Sequence, residues 1–180
     1  MEHRLVLPSP VGELTLTEEN GALTGLYFGA RPGGEEGPSP LLEEAARQLR
    51  AYFAGQRRAF SLPLAPRGTA FQLQVWQALQ TIPYGEVRTY GEIARAIGKP
   101  KACRAVGMAN HNNPISIIVP CHRVVDRFGG TKAAFDTFAP GTQRALLEAE
   151  GVAFRLDGTV DLEQCLWTCL LYTSPSPRDC

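Results

Sequence analysis

No apolar run in this chain approaches the roughly 20 residues that a membrane-spanning helix requires, so no membrane partner is expected. There is no Cys-x-x-Cys pair among the five cysteines (103, 121, 165, 169 and 180), and the N-terminus lacks a Cys/His set that would hold structural zinc. That absence leads to the expectation of no metal, and no glycine-rich phosphate loop occurs either. The start of the chain lacks the pattern of a signal peptide: Glu2, His3 and Arg4 precede only a short apolar alternation. With an odd cysteine count, that points to a reducing cytoplasm. Net charge is also missing, 18 Lys+Arg against 18 Asp+Glu, which excludes a uniformly basic protein and leaves local fields open.

What is present is 180 residues at 44% hydrophobic, enough for one ample core or two small ones. The charge is segregated along the chain. Between Gly98 and Lys132 stand Lys99, Lys101, Arg104, Arg123, Arg127 and Lys132 against the single acid Asp126. Such a block suits an anionic partner such as DNA, or is a solvated basic face.

Residues 4–28 alternate apolar and polar side chains, with turns at Ser9-Pro10-Val11-Gly12 and Glu19-Asn20-Gly21, which reads as a β-meander. Leu42, Ala45, Ala46, Leu49, Tyr52 and Phe53 fall at helical spacing between Ser39-Pro40 and Gly55. From Thr69 the texture changes. Thr69-x-x-Gln72 and Thr89-x-x-Glu92 have capping-box spacing, the first opening a helix that buries Phe71, Val75, Trp76 and Leu79. The second leads a short helix to Gly98, and another follows from Lys101 to about Asn110. Two short helices around a tight turn have helix-turn-helix spacing; a helix hairpin that only packs has the same pattern. Ala102, Cys103, Ala105, Gly107 and Ala109 make the later helix small-sided around Arg104. That surface fits a close helix neighbour, or a narrow groove with Arg104 pushed into a base stack.

The run Ile117-Ile118-Val119-Pro120-Cys121-His122-Arg123-Val124-Val125 is the chemical centre of the sequence. A thiol reacts as thiolate, and a neighbouring imidazole and guanidinium favour that form. A buried, inert cysteine is the alternative for the pair alone.

Taken together, Phe71-Gln72-x-x-Val75-Trp76, Ile82-Pro83-Tyr84-Gly85-Glu86, Thr89-Tyr90-Gly91-Glu92-Ile93-Ala94 and Arg104-Ala105-Val106-Gly107 resemble the methylated-DNA–protein-cysteine methyltransferase family. The likeness continues through Asn113-Pro114, Ile118–Val125 and Leu146-Leu147-x-x-Glu150-Gly151, and covers about residues 69–151. It implies an α+β protein in which a small β-meander/helix unit, ribonuclease-H-like, precedes a helical domain with a helix-turn-helix. The expected division is 1–66, 67–164 and a non-native tail at 165–180, whose end resembles a translated sequencing-adaptor read-through, the native C-terminus being truncated there. The implied activity is DNA repair by one irreversible alkyl transfer from the 6-oxygen of guanine to Cys121, without cofactor. The implied partner is double-stranded DNA holding alkylated guanine, met by a monomer.

The resemblance also implies roles. His122 takes the thiol proton through a water, Glu150 orients the imidazole, Asn113 shapes the turn, and Tyr90 donates to the leaving guanine. Lys101, Ala102, Arg104, Ala105, Gly107 and Arg123 would meet DNA, Arg104 filling the space of an extruded nucleotide. Residues 126–143 depart from the family's glycine-rich loop, so lesion-side contacts are not assigned; Phe135 and Phe138 are pocket-wall or core residues. Cys103 and His111 are smaller departures. A non-catalytic alkylguanine-binding protein is the alternative, with a cysteine hydrolase built on Cys121 and His122 as a third reading.

Overall fold

The computed structural model describes residues 1–131 and 141–165. Phe135, Phe138 and residues 166–180 of the expected tail lie outside them. The described elements are mixed helix and strand, and the chain divides by its contacts into two units. One is Met1–Arg67 with Pro114–Ile118; the other is Gly68–Asn113 with the chain from Val119 onward.

The first unit is built on strands β1 (His3–Leu7), β2 (Leu14–Glu19), β3 (Ala22–Phe28) and β4 (Glu35–Glu36), in sheet order β3-β2-β1-β4. β1, β2 and β3 pair antiparallel as the alternation and turns predict, and β4 adds parallel to β1. Leu14, Leu16, Leu23 and Leu26 are fully buried. Helix α1 (Pro40–Phe53) lies against the sheet, contacting β1, β2 and β3. It starts where Ser39 Oγ accepts from the Leu42 amide, with Pro40 in the first turn, and ends before Gly55, whose φ of 74° suits a residue without Cβ. Its buried side is Leu42, Ala45, Ala46, Gln48, Leu49 and Tyr52; Phe53 is only half-buried.

The linear reading did not anticipate that residues 114–118 belong to this unit. The Leu26 amide donates to Pro114 O at 2.8 Å and the Ser116 amide to Leu26 O at 3.3 Å, so the segment runs parallel beside β3. Ile117 closes it at φ 70°. Left-handed backbone is costly for a β-branched side chain, on the order of 1–3 kcal/mol, and the surrounding burial of Ile115, Ile117 and Ile118 holds it.

The second unit contains α2 (Ala70–Leu79), β5 (Arg88–Thr89), α3 (Tyr90–Ala96), α4 (Cys103–His111), a 3-10 turn at Cys121–Arg123, β6 (Val124–Val125), α5 (Thr142–Ala149) and α6 (Leu162–Cys165). Both capping boxes form: Thr69 with Gln72, and Thr89 with Glu92. Val75, Trp76 and Leu79 are buried on α2, and Trp76 Nε1 donates to Ala109 O at 2.8 Å, tying α2 to α4. Phe71 is half-buried, with Lys99 Nζ 5.0 Å from its ring centroid. α3 and α4 pack together around the turn at Gly98. β5 pairs parallel with β6, Arg88 opposite Val124 and Thr89 opposite Val125. That two-residue ladder places the start of α3 beside the 3-10 turn that carries Cys121. No helix among the described residues is long and apolar enough to cross a membrane.

Candidate active site

Backbone order around Cys121 comes from three side-chain amides rather than from regular structure. Asn113 Nδ2 donates to Val119 O at 2.9 Å, and Asn110 Nδ2 donates to Cys121 O at 3.2 Å. Gln143, near the start of α5, donates through Nε2 to His122 O at 3.1 Å and Val124 O at 2.9 Å. Each adds a side-chain donor to a carbonyl in or beside the turn, where Val119 O and Cys121 O also accept the Cys121 and Val124 amides. Asn113 was expected in such a place. Asn110 and Gln143 were not, and only their buried amides in an otherwise apolar setting mark them.

Cys121 is not in a disulfide and is only 2% exposed. Its neighbour His122 is wholly buried, with Nε2 2.8 Å from Glu150 Oε2. Glu150 caps the C-terminal end of α5, and four donors converge on its carboxylate. Besides His122, Arg123 donates through Nε to Oε1 at 2.9 Å and through Nη2 to Oε2 at 3.0 Å, while the Gly85 amide donates to Oε1 at 3.1 Å. Arg123 Nη1 is used as well, donating to Ile82 O at 2.7 Å. Gly85 sits at φ 79°, and a Cβ there would come within 3.0 Å of Glu150 O, so this approach needs glycine.

The protonation states follow from these partners. Burial alone would raise the Glu150 carboxyl, but the hydrogen bond from His122 and the hydrogen bonds and charge of Arg123 outweigh it and hold the group well below the usual carboxylate range. An anionic carboxylate only accepts, so the imidazole carries its proton on Nε2 and its lone pair on Nδ1. Nδ1 is buried and has no hydrogen-bond partner among the described residues. Burial also lowers the imidazole's proton affinity; Glu150 opposes that and the Arg123 charge adds to it. The resting imidazole is therefore neutral at pH 7, with a base atom free.

Tyr90, first residue of α3, is buried and hydrogen-bonded to the Asn110 side chain. Burial above all, then the nearby Cys121 and Asp126, pushes its phenol up, so it stays protonated and able to donate.

The residues expected to meet DNA separate into two groups. Lys101, Arg104 and Ala105 are exposed on one side of α4 and the turn before it, and Ala102 is half-buried beside them. Met108, 62% exposed one turn on from Arg104, shares that side and was not singled out by the sequence. Gly107 is half-buried and faces the Tyr90 ring, where an added Cβ would lie 3.8 Å from the ring carbons. That is ordinary van der Waals distance, so α3–α4 packing does not by itself require glycine here. Arg123 requires a correction: it is 6% exposed and its guanidinium is consumed by Glu150 and Ile82, so it is not on a DNA-facing surface. The physical reason is that the 3-10 turn points it inward, toward a buried carboxylate. Among the described residues, no group of three or more His, Cys, Asp or Glu could hold a metal ion.

Comparison with known proteins places this geometry in context. The family model for 6-O-methylguanine DNA methyltransferase, DNA binding domain, matches residues 70–152, and that for the ribonuclease-like domain of the same proteins matches residues 3–66. The constitutive methylated-DNA–protein-cysteine methyltransferase of Bacillus subtilis (strain 168) is 42% identical over 159 residues, covering 80% of this chain and 96% of that protein. A methylated-DNA–protein-cysteine methyltransferase of Methanosarcina acetivorans is 47% identical over 154 residues, covering 81% and 96%. Among solved structures, Mycobacterium tuberculosis OGT in complex with DNA superimposes with a TM-score of 0.74 at 47% identity, covering 82% of this chain and 92% of that one.

Proposed function

The chain belongs to the methylated-DNA–protein-cysteine methyltransferase family, and from that premise we propose that it repairs DNA by moving an alkyl group from the 6-oxygen of guanine onto Cys121. In this reading the Cys121 sulfur attacks the alkyl carbon, an S–C bond forms, and the C–O bond to guanine breaks. The thiol proton passes to His122 Nδ1, through a water where the two side chains do not meet. The resulting imidazolium is stabilised by the Glu150 carboxylate on its other nitrogen. Tyr90 donates a hydrogen bond to the departing guanine as negative charge develops there. The thioether has no leaving group that water displaces readily, so each molecule acts once. A displacement of this kind needs no cofactor.

The target carbon is out of reach inside stacked duplex, so the nucleotide must be extruded. Arg104, exposed on α4 with Lys101 and Ala105 beside it, fills the vacated space in this reading. In this reading residues 1–66 form one domain and 67–164 the other, the first carrying no group used in the reaction, and one monomer suffices for one lesion.

The observation that carries the proposal is the buried His122–Glu150 pair directly after Cys121, with Nε2 committed to the carboxylate and Nδ1 left as base. Incubating the protein with duplex DNA bearing labelled methyl on guanine tests it. The expected result is label on Cys121 at no more than one methyl per molecule, lost in Cys121→Ala while DNA binding persists. An intact lesion bound tightly by the unaltered protein would favour a non-catalytic binder instead.

A further inference from the structure

Arg123 and His122 share one buried carboxylate, and their claims on it are unequal. Arg123 contacts both oxygens in a fork, at 2.9 and 3.0 Å, whereas His122 contacts one at 2.8 Å. The guanidinium is permanently charged, so Glu150 faces a fixed cation on its Arg123 side whether or not the imidazole is protonated. Gly85 and Ile82 complete the cradle, the first donating to Glu150 Oε1 and the second accepting from Arg123 Nη1. No polar atom of this fork is left for an outside ligand on the Glu150 side.

We propose that Arg123 is a positioning residue for the transfer reaction: it neutralises Glu150 in advance, so that His122 rests uncharged with Nδ1 open to the thiol proton. This rests on the alkyl-transfer reading above and deepens it. Without the guanidinium, the whole carboxylate charge would fall on the imidazole. The His122–Glu150 pair would then bind a proton at higher pH, and a protonated imidazole cannot accept another. The charged groups acting on the imidazole are Glu150 at the end of α5 and Arg123 on its own turn; Cys121 precedes it on that turn, and Tyr90 at the start of α3 lies near Cys121. Of these only Arg123 carries a charge that opposes protonation. The arrangement thus separates two tasks that Glu150 alone would mix, namely orienting the ring and setting how readily it charges.

The test is an imidazole titration of His122 by NMR in the free full-length protein, beside the pH profile of single-turnover methyl transfer. Arg123→Met is expected to move the titration upward by about one pH unit or more, the size of effect that one close charge exerts. The low-pH limb of transfer moves in the same direction. Arg123→Lys, which keeps a point charge but not the fork, is expected between the two, and it carries the comparison if Arg123→Met does not fold. A folded variant whose His122 titrates unchanged or lower would overturn the proposal. Because the titration needs no DNA, a protein that transfers no methyl at all would count against the alkyl-transfer reading while leaving this result decisive. Duplex affinity at neutral pH is expected to be unchanged in Arg123→Lys; a loss there would restore Arg123 to the DNA surface.

Discussion

Glu150 is the residue on which the site turns, because four donors meet on two oxygens that have no access to water. Removing one partner of a buried charged pair costs far more than the pair contributes, on the order of 3–5 kcal/mol. The pH dependence of stability follows from the same cluster. Burial lowers the His122 imidazole from its ordinary 6.5, and Arg123 with His122 holds Glu150 below 4.5. In both cases the unfolded chain takes up protons that the folded chain refuses, so stability falls on acidification. The imidazole contribution is lost as pH drops below 6.5; that of the carboxylate, present above 4.5, is lost as pH falls toward its lowered folded value. Urea midpoints at pH 8, 6 and 4 should decline in that order, and Glu150→Gln should lower all three and flatten the slope. A midpoint rising toward pH 4 would contradict the assigned charge states. His122 and Glu150 were legible in the linear chain through their motifs. Arg123 was misplaced because adjacency to Cys121 says nothing about which way a side chain leaves a 3-10 turn.

At the scale of elements, the helices were readable because their signals are local. Ser39, Thr69 and Thr89 cap within three residues of themselves, and the apolar spacing of α1 and α2 needs no partner to be seen. Boundaries shifted only slightly, α4 running Cys103–His111 where Lys101 to Asn110 was expected. The outward side of α4 was read less completely. Its small residues divide between packing, where Ala109 O meets Trp76 and Gly107 meets Tyr90, and exposure, where Arg104, Ala105 and Met108 lie. Arg104→Ala is expected to slow repair of duplex DNA more than reaction with a free alkylated guanine base, since the free base needs no extrusion. Lys101→Ala, removing one exposed cation, should weaken duplex binding uniformly across sequences and reduce its salt slope by about 1. Equal losses of Arg104→Ala on both substrates would show that the arginine acts on the chemistry and not on the duplex.

The whole molecule adds a constraint that neither residues nor elements reveal. Residues 114–118 leave the second unit, run beside β3 of the first, and return as Val119-Pro120-Cys121. Ile115 is fully buried in that segment. Ile115→Ala should cost about 2–5 kcal/mol by the usual loss of burial plus cavity, measured by urea unfolding. Transfer to Cys121 should lose thermal tolerance in parallel. A stable variant with a heat-labile transfer step would instead place the effect on local backbone geometry at Ile117.

Composition, caps, periodicity and ordered motifs specified the two kinds of unit, the succession of helices and the cysteine with its imidazole and acid, because each of those signals acts over a few residues or was carried whole by the family resemblance. Tertiary structure alone decided that Arg123 faces Glu150, that Gln143 and Asn110 hold the turn, and that residues 114–118 lie beside β3. Those outcomes depend on which distant groups share a dry interior, where every donor must find an acceptor and every charge a counter-charge.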